Sequence, residues 1–359
     1  MNNNDIMPNQ ENIIKGEKYR FTVLTPRLIR MEYSENGIFE DRATTLIVNR
    51  KTDKVDFKLK EDNKYIEITT SYFRLTYQKN KPFYSGKIDT MKNLKVELLN
   101  TDRIWYYGHP EIRNYGSPSN SLDDNKGKLK LKKGLYSIDG FASINDSNDI
   151  VDNGRIIERE KEIIDIYLFM YLKDFALCLK DYFLITGSPS LIPRYALGNW
   201  WSKNELYNDI TLKELVDNFK SKEIPLSILL LDRKWHLNEY LEKEYVSGFT
   251  WNRTLFSDPK KMINYLHKNG IRLGLNINPL EGIMPYEDNY DILAKFLPKN
   301  EDILVFNVLD DKTIELYFEC LIHPLDSMGV DFFWIDDNSK NTKSNAILNY
   351  YGFVTAYAL

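Results

Sequence analysis

Two aspartates stand where a chain of alternating strands and helices keeps its chemistry. Asp232 closes the apolar run Ile228-Leu229-Leu230-Leu231, and Asp336 closes the run that ends Phe332-Phe333-Trp334-Ile335. Continuous apolar runs of this length mark parallel strands buried on both faces, and the residue just past such a strand projects to where the connecting loops meet. A carboxylate there, beside Trp334, can hold a hydroxyl-rich ligand, or stabilise or attack the carbon of an oxocarbenium-like transition state. A strand-end Asp also serves more plainly as a helix N-cap or turn residue, so the pair gains weight from its shared position. His236, in Leu231-Asp232-Arg233-Lys234-Trp235-His236, adds a group able to donate to a ligand hydroxyl or to join a catalytic pair. Trp201, paired with Trp200 at the end of another apolar run, offers a flat face for stacking.

Other chemistries lack their residues. The four histidines, His109, His236, His267 and His323, show no metal-ligand spacing. His267 falls inside a helix and His323 before a proline, so both are expected to pack or to lie at the surface. No Gly-x-Ser-x-Gly elbow, Gly-x-Gly-x-x-Gly turn or P-loop occurs. No metal or organic cofactor is expected, because two carboxylates suffice for sugar chemistry.

The elements that must position these residues form two series. In the first half, Tyr19 to Leu24, Leu28 to Tyr33, Val55 to Leu59, Tyr65 to Ile68, Phe73 to Tyr77 and Ile163 to Phe169 alternate apolar and polar residues between Asn, Asp, Lys and Gly. That pattern predicts antiparallel strands of a β-sandwich over 13–186. Residues 1–12 are expected to be disordered, and 114–134 to form a long surface loop. From 187 the pattern becomes strand then helix. Apolar positions at 212, 215, 216 and 219 share one helical face, Asp258-Pro259 opens a second helix that Gly270 closes, and a third runs from Lys312 to Met328. The strands between them end in Trp201-Ser202, Asp232-Arg233, Asn276 with Asn278, and Asp336-Asp337-Asn338. This βα series predicts a (β/α)8 barrel, of which about the first half, strands one to four, fits before residue 359.

Composition agrees with a folded protein. At 359 residues two or three domains are expected, and 43% hydrophobic with 28% charged residues is a globular balance. The 48 Lys and Arg against 52 Asp and Glu leave −4, which gives no attraction to nucleic acid. The two cysteines, Cys178 and Cys320, lie far apart in apolar runs and read as buried free thiols. With no signal peptide and no apolar stretch of about 18 residues, the chain is expected to be cytoplasmic and not to enter a membrane.

Several stretches in order resemble landmarks of glycoside hydrolase family 31. They are Ile192-Pro193-Arg194-Tyr195-Ala196-Leu197-Gly198-Asn199-Trp200-Trp201, Ile224 through His236, Phe249 through Pro259, and Gly329-Val330-Asp331-Phe332-Phe333-Trp334-Ile335-Asp336-Asp337-Asn338. Phe21 to Tyr33 and Gly134 to Ala142 resemble stretches of the family's N-terminal sandwich. The resemblance implies a retaining α-glycosidase that acts on non-reducing-end α-linked sugars. It implies Asp336 as the nucleophile of a covalent glycosyl-enzyme, Asp232 as a ligand of sugar hydroxyls, Trp334 as a wall of that subsite, and Trp235, His236 and Trp251 near the pocket.

Two departures matter. Asp337-Asn338-Ser339 replaces the usual run after the nucleophile, so a second carboxylate adjoins Asp336. The family's acid/base Asp follows a fifth strand and is expected to be absent from these 359 residues. The chain alone is therefore expected to be inactive and to depend on a complementary chain that completes the barrel. The alternative is a noncatalytic carbohydrate-binding or pseudoenzyme remnant. Leu231 to His236 differs from the form common in α-glucosidases, so α-glucoside, α-xyloside, α-galactoside and N-acetylated α-galactoside all stay open.

Overall fold

The computed structural model describes residues 6–84, 93–116, 131–159, 163–237 and 248–335, with 344, 347–348 and 350–352. The chain divides into two units, Met1–Pro189 and Ser190–Leu359.

The first unit is a sandwich of two five-stranded antiparallel sheets. Its strands are β1 (Ile13–Lys15), β2 (Tyr19–Thr25), β3 (Leu28–Ser34), β4 (Lys58–Glu61), β5 (Tyr65–Thr69), β6 (Phe73–Gln78), β7 (Leu94–Leu98), β8 (Ile104–Tyr106), β9 (Ala142–Asn145), β10 (Asp149–Asp152), β11 (Arg155–Glu158) and β12 (Ile163–Phe169). One sheet runs β1-β2-β3-β12-β9 and the other is the meander β4-β5-β6-β7-β8, while β10 and β11 form a separate hairpin. Strand alternation turns Phe21, Val23, Ile29 and Met31 toward Ile68, Leu75, Tyr77 and Val96, and these residues are the core. The opposite face of the first sheet is polar yet also buried: Arg20, Thr22, Arg30, Glu32 and Asp165 are at most 4% exposed. Arg20 and Arg30 both donate to the Glu40 carbonyl, and Arg50 donates to those of Asp41 and Arg42, so the stretch after β3 covers that face.

Two expectations for this unit are corrected by one residue. Asn12 is fully buried; its Nδ2 donates to the Asp53 carbonyl at 2.8 Å and its Oδ1 accepts from Val55 N–H at 2.8 Å. Residues 6–12, expected to be disordered, are thus docked, with a 3-10 turn at Gln10–Asn12 and Ile6 2% exposed. The strand expected from Val55 begins only at Lys58, because the backbone of 53–55 bonds to Asn12 instead of to a neighbouring strand. A helix that alternation does not reveal, α1 (Phe175–Thr186), is capped by Asp174 and buries Cys178, Asp181 and Ile185. Of the expected surface loop, residues 117–130 lie outside the described residues. Its base is closed by the Asn114 side chain, which donates to the Gly134 carbonyl and accepts from Gly134 N–H.

The second unit is a parallel βα series: β13 (Trp200–Lys203), α2 (Asp209–Ser221), β14 (Ile228–Leu231), α3 (Pro259–Lys268), β15 (Arg272–Ile277), α4 (Tyr290–Leu293), the short hairpin β16 (Lys299–Asn300) and β17 (Ile303–Leu304), α5 (Asp311–Tyr317), α6 (His323–Met328) and β18 (Phe332–Ile335). The four longer strands pair in parallel in the order β13-β14-β15-β18. The helix starts follow local rules: Asn208 and Thr211 make a reciprocal capping box, and Asp258 caps α3 ahead of Pro259. At the amino end of the sheet Asp331 accepts from His267 Nε2 (2.7 Å), Arg272 Nη1 (3.0 Å) and Leu273 N–H (2.8 Å), which ties α3, β15 and β18 together. His267 is therefore a structural partner, and His323 is exposed. Among the described residues no helix is long and apolar enough to cross a membrane.

Between α5 and α6 a π-helical turn, Phe318–Ile322, absorbs a proline. Pro324 has no N–H for the Cys320 carbonyl four residues back, and Asn289 Nδ2 takes that acceptor at 2.6 Å. Cys320 is only half-buried, which corrects the expectation of two buried thiols; Cys178 is buried. Asn289→Ala leaves the carbonyl without its donor and is expected to cost about 1–3 kcal/mol. A lower urea midpoint at unchanged m checks this; an unchanged midpoint would show that the bond contributes nothing.

Candidate functional site

Period-two alternation fixes which strand residues share a face, and the parallel register sets their levels. Ser202, Leu230, Gly274 and Phe332 are in register across the sheet, and Asn276 pairs with Trp334 one level nearer the carboxyl ends. Asp232, two residues past Leu230, belongs by sequence step to the level of Asn276 and Trp334. Its side chain is 22% exposed, and Oδ1 accepts from Arg233 N–H at 2.8 Å. The Asp232 carbonyl accepts from Lys234 N–H at 2.6 Å, so the turn after β14 is tight.

Trp334 is 46% exposed and Trp200 38%, with ring centroids 6.3 Å apart at 75°; Phe332 lies 5.3 Å from Trp200. Gly274 lets Phe332 lie over β15, since a methyl group there would overlap its ring. The two half-exposed indoles thus share one face of the sheet, with the buried amides Asn276 (4% exposed) and Asn278 (3%) at the end of β15.

Four of the expected ligand residues lie off this open face. Trp201 points to the helix side, where its ring lies 5.4 Å from Phe219 of α2 and Nε1 donates to Tyr207 Oη at 2.9 Å; Trp200, one residue earlier, holds the open face. Trp235, His236 and Trp251 are 0%, 1% and 2% exposed and leave no surface for a sugar. They pack on one another: Trp235 and Trp251 are 4.8 Å apart, His236 bridges Trp251 through the backbone, and Trp235 Nε1 donates to the Asn276 carbonyl at 2.9 Å. Asp336, with Asp337 and Asn338, lies outside the described residues. Of the named site residues the structure therefore brings Asp232 and Trp334 to one edge.

One residue had no sequence signal. Glu287, between β15 and α4, is 5% exposed, and burial pushes its carboxyl up to about 7 despite backbone N–H bonds that favour the charge. Nothing in the spacing of Met284-Pro285-Tyr286-Glu287 sets it apart.

A parallel βα sheet with a carboxylate, buried amides and one exposed indole, Trp334, toward its carboxyl edge is the layout of a barrel-type enzyme, whereas Trp200 opens β13 at the level of Ile228 and Arg272. Residues 189–357 match the model of the glycosyl hydrolases family 31 TIM-barrel domain, which places that segment in family 31. An α-xylosidase of Saccharolobus solfataricus is 28% identical over 167 residues, 46% of this chain and 21% of that protein. An α-glucosidase of the same organism is 29% identical over 183 residues, 47% of this chain and 25% of the other. Among solved structures, a family 31 α-xylosidase from a soil metagenome complexed with xylose has a TM-score of 0.59 at 15% identity, covering 90% of this chain and 56% of that one. A family 31 dextranase of Flavobacterium johnsoniae complexed with glucose has a TM-score of 0.61 at 16% identity, covering 96% and 49%. These likenesses carry the fold, a β-sandwich followed by a TIM-barrel domain. The chain spans about half the length of these structures, and its matched part a quarter or less of the curated relatives.

Proposed function

We propose that this chain is part of a retaining α-glycosidase whose sugar site lies at the carboxyl ends of β13, β14, β15 and β18. The observation that carries the reading is the shared level at the carboxyl ends: Asp232 by sequence step with Asn276 and Trp334. An anion and amide groups suit sugar hydroxyls, and indole faces suit the apolar side of a pyranose. Asp336, one residue past β18 in sequence, is the nucleophile of this reading. It attacks the anomeric carbon, the glycosidic bond breaks, and the leaving oxygen takes its proton from a second carboxylic acid about 5–5.5 Å away. None of the described residues is assigned as that acid, and this chain is expected to bind sugar without turnover. The substrate is a non-reducing-end α-linked sugar, in keeping with the α-xylosidase and α-glucosidase relatives.

Calorimetric titration of the chain with xylose and with glucose tests the site. One of the two is expected to bind, and Asp232→Ala to weaken it by about 10- to 100-fold, the loss of a charged hydrogen bond. Equal affinity in both proteins would remove Asp232 from the site. Turnover by the 359-residue chain would show that it supplies that acid itself.

A further inference from the structure

Glu287 is bonded to two loops at once. Its Oε2 accepts from Phe249 N–H at 2.6 Å, on the stretch that follows β14, and Oε1 from Met284 N–H at 3.2 Å on its own stretch. Adjacent bonds repeat the tie, since Asp288 N–H donates to Thr250 Oγ1 at 3.0 Å. The tied stretch leads directly into Trp251, whose ring packs on Trp235; Trp235 holds the Asn276 carbonyl and lies three residues after Asp232. Contacts therefore run without a break from Glu287 through Phe249, Trp251 and Trp235 to the Asp232 turn and to Asn276. Only a carboxylate offers acceptors at both ends of this clamp. A glutamine would turn a donor toward one of the two amides.

We propose that Glu287 is a positioning residue of the sugar site, its ionised carboxylate clamping the loops after β14 and β15 so that the Asp232 turn and Asn276 stand where a sugar needs them. The inference rests on the sugar-site reading above. Protonation converts one acceptor oxygen into a donor facing an amide N–H, which releases one jaw of the clamp. The titratable groups around it are Asp288 on its own segment, whose charge further disfavours ionisation, His236 across Trp251, and Tyr317 of α5, whose ring lies 6.2 Å from that of Phe249. Among the described residues no cation pairs with it. The clamp is thus ionised above about pH 7 and released below it.

The chain labelled with 5-fluorotryptophan tests this by 19F NMR. In the wild type the Trp235 and Trp251 resonances are expected to titrate with a midpoint near 7, and in Glu287→Gln to stay at their acid-side positions at every pH. Affinity for xylose or glucose should fall about tenfold from about pH 8 to about pH 6 in the wild type and stay weak throughout in E287Q. Resonances that do not titrate, or that titrate equally in E287Q, overturn the clamp. Moving resonances with pH-independent affinity overturn the positioning role. Moving resonances with no sugar bound at any pH support the clamp and remove the sugar-site reading instead. If E287Q does not fold, hydrogen exchange of the Phe249 and Met284 amides in the wild type decides: protection, corrected for intrinsic rates, drops below about pH 7 if the clamp releases and stays flat if it does not.

Discussion

Asp336→Asn is expected to lower hydrolysis of an aryl α-xyloside or aryl α-glucoside by about 10⁴-fold or more in any preparation of this chain that turns over, while sugar affinity stays within about threefold. The amide fills the same space and still bonds to hydroxyls, but it cannot form the ester that splits the displacement into two steps. Loss in kcat without loss of affinity is the signature of a group whose work is done in the transition state. Added azide then separates a nucleophile from a mere ligand: in Asp336→Gly, which vacates the carboxylate's space, it should restore turnover and yield the β-configured glycosyl azide, whereas no azide rescues Asp232→Ala. Hydrolysis that survives D336N would move the nucleophile to the adjacent Asp337 or expose a contaminating enzyme. The contrast between the two aspartates also tests the division of labour between strands, with β14 holding the sugar and the end of β18 reacting with it.

The βα series was legible because its signals are local. Continuous apolar runs, the capping residues Asn208 and Asp258, Pro259 and Gly270 each act within a few residues, and β14, α3 and β15 lie where those residues put them. The facing of the tryptophans was not legible. The apolar run from Tyr195 to Trp201 begins with a 3-10 turn at Arg194–Leu197, and the strand starts only at Trp200, so no alternation in sequence tells which indole faces outward. Trp235, His236 and Trp251 looked like pocket residues by position after a strand. Their burial depends on one another and on Asn276, a condition set only when two loops meet. Glu287 has no periodic context at all; its role comes from the Phe249 amide, 38 positions earlier in the chain.

The sandwich shows the same limit, because charged residues alternating along a strand read as a solvent-facing row, and here a further layer covers them. Arg30 donates to both Asp165 oxygens, Nε at 2.9 Å and Nη2 at 2.7 Å, and Arg159 Nη1 adds a third bond at 2.9 Å. Arg20 and Arg30 also hold Glu32, at 2.6 and 3.0 Å. Asp165→Ala leaves two buried guanidinium groups without their main counter-charge and is expected to destabilise the chain by about 3–5 kcal/mol. Lys54→Ala, which removes an exposed pair to Glu11, should cost less than about 1 kcal/mol. Acid acts on the network in two opposite ways. Arg30 and Arg159 hold the Asp165 carboxyl below the usual range against a desolvation that would raise it, so its contribution is present above 3.8 and lost as pH falls through its lower folded value. Asp146 is pushed up to about 7 by burial and by the nearby Asp165 charge, so its contribution is present below 3.8 and lost as pH rises through 7. Between those limits the Asp146 effect favours the folded state more as pH falls, by about 1.4 kcal/mol per pH unit, and Asp146→Asn should remove that slope. Urea midpoints of wild type and Asp146→Asn at about pH 5.5 and about pH 8 read the Asp146 slope, and those of wild type and Asp165→Ala at about pH 5.5 and well below 3.8 read the Asp165 contribution. A wild-type midpoint for Asp165→Ala would mean that water reaches Arg30 and Arg159, and that the covering stretch after β3 packs too loosely to exclude it.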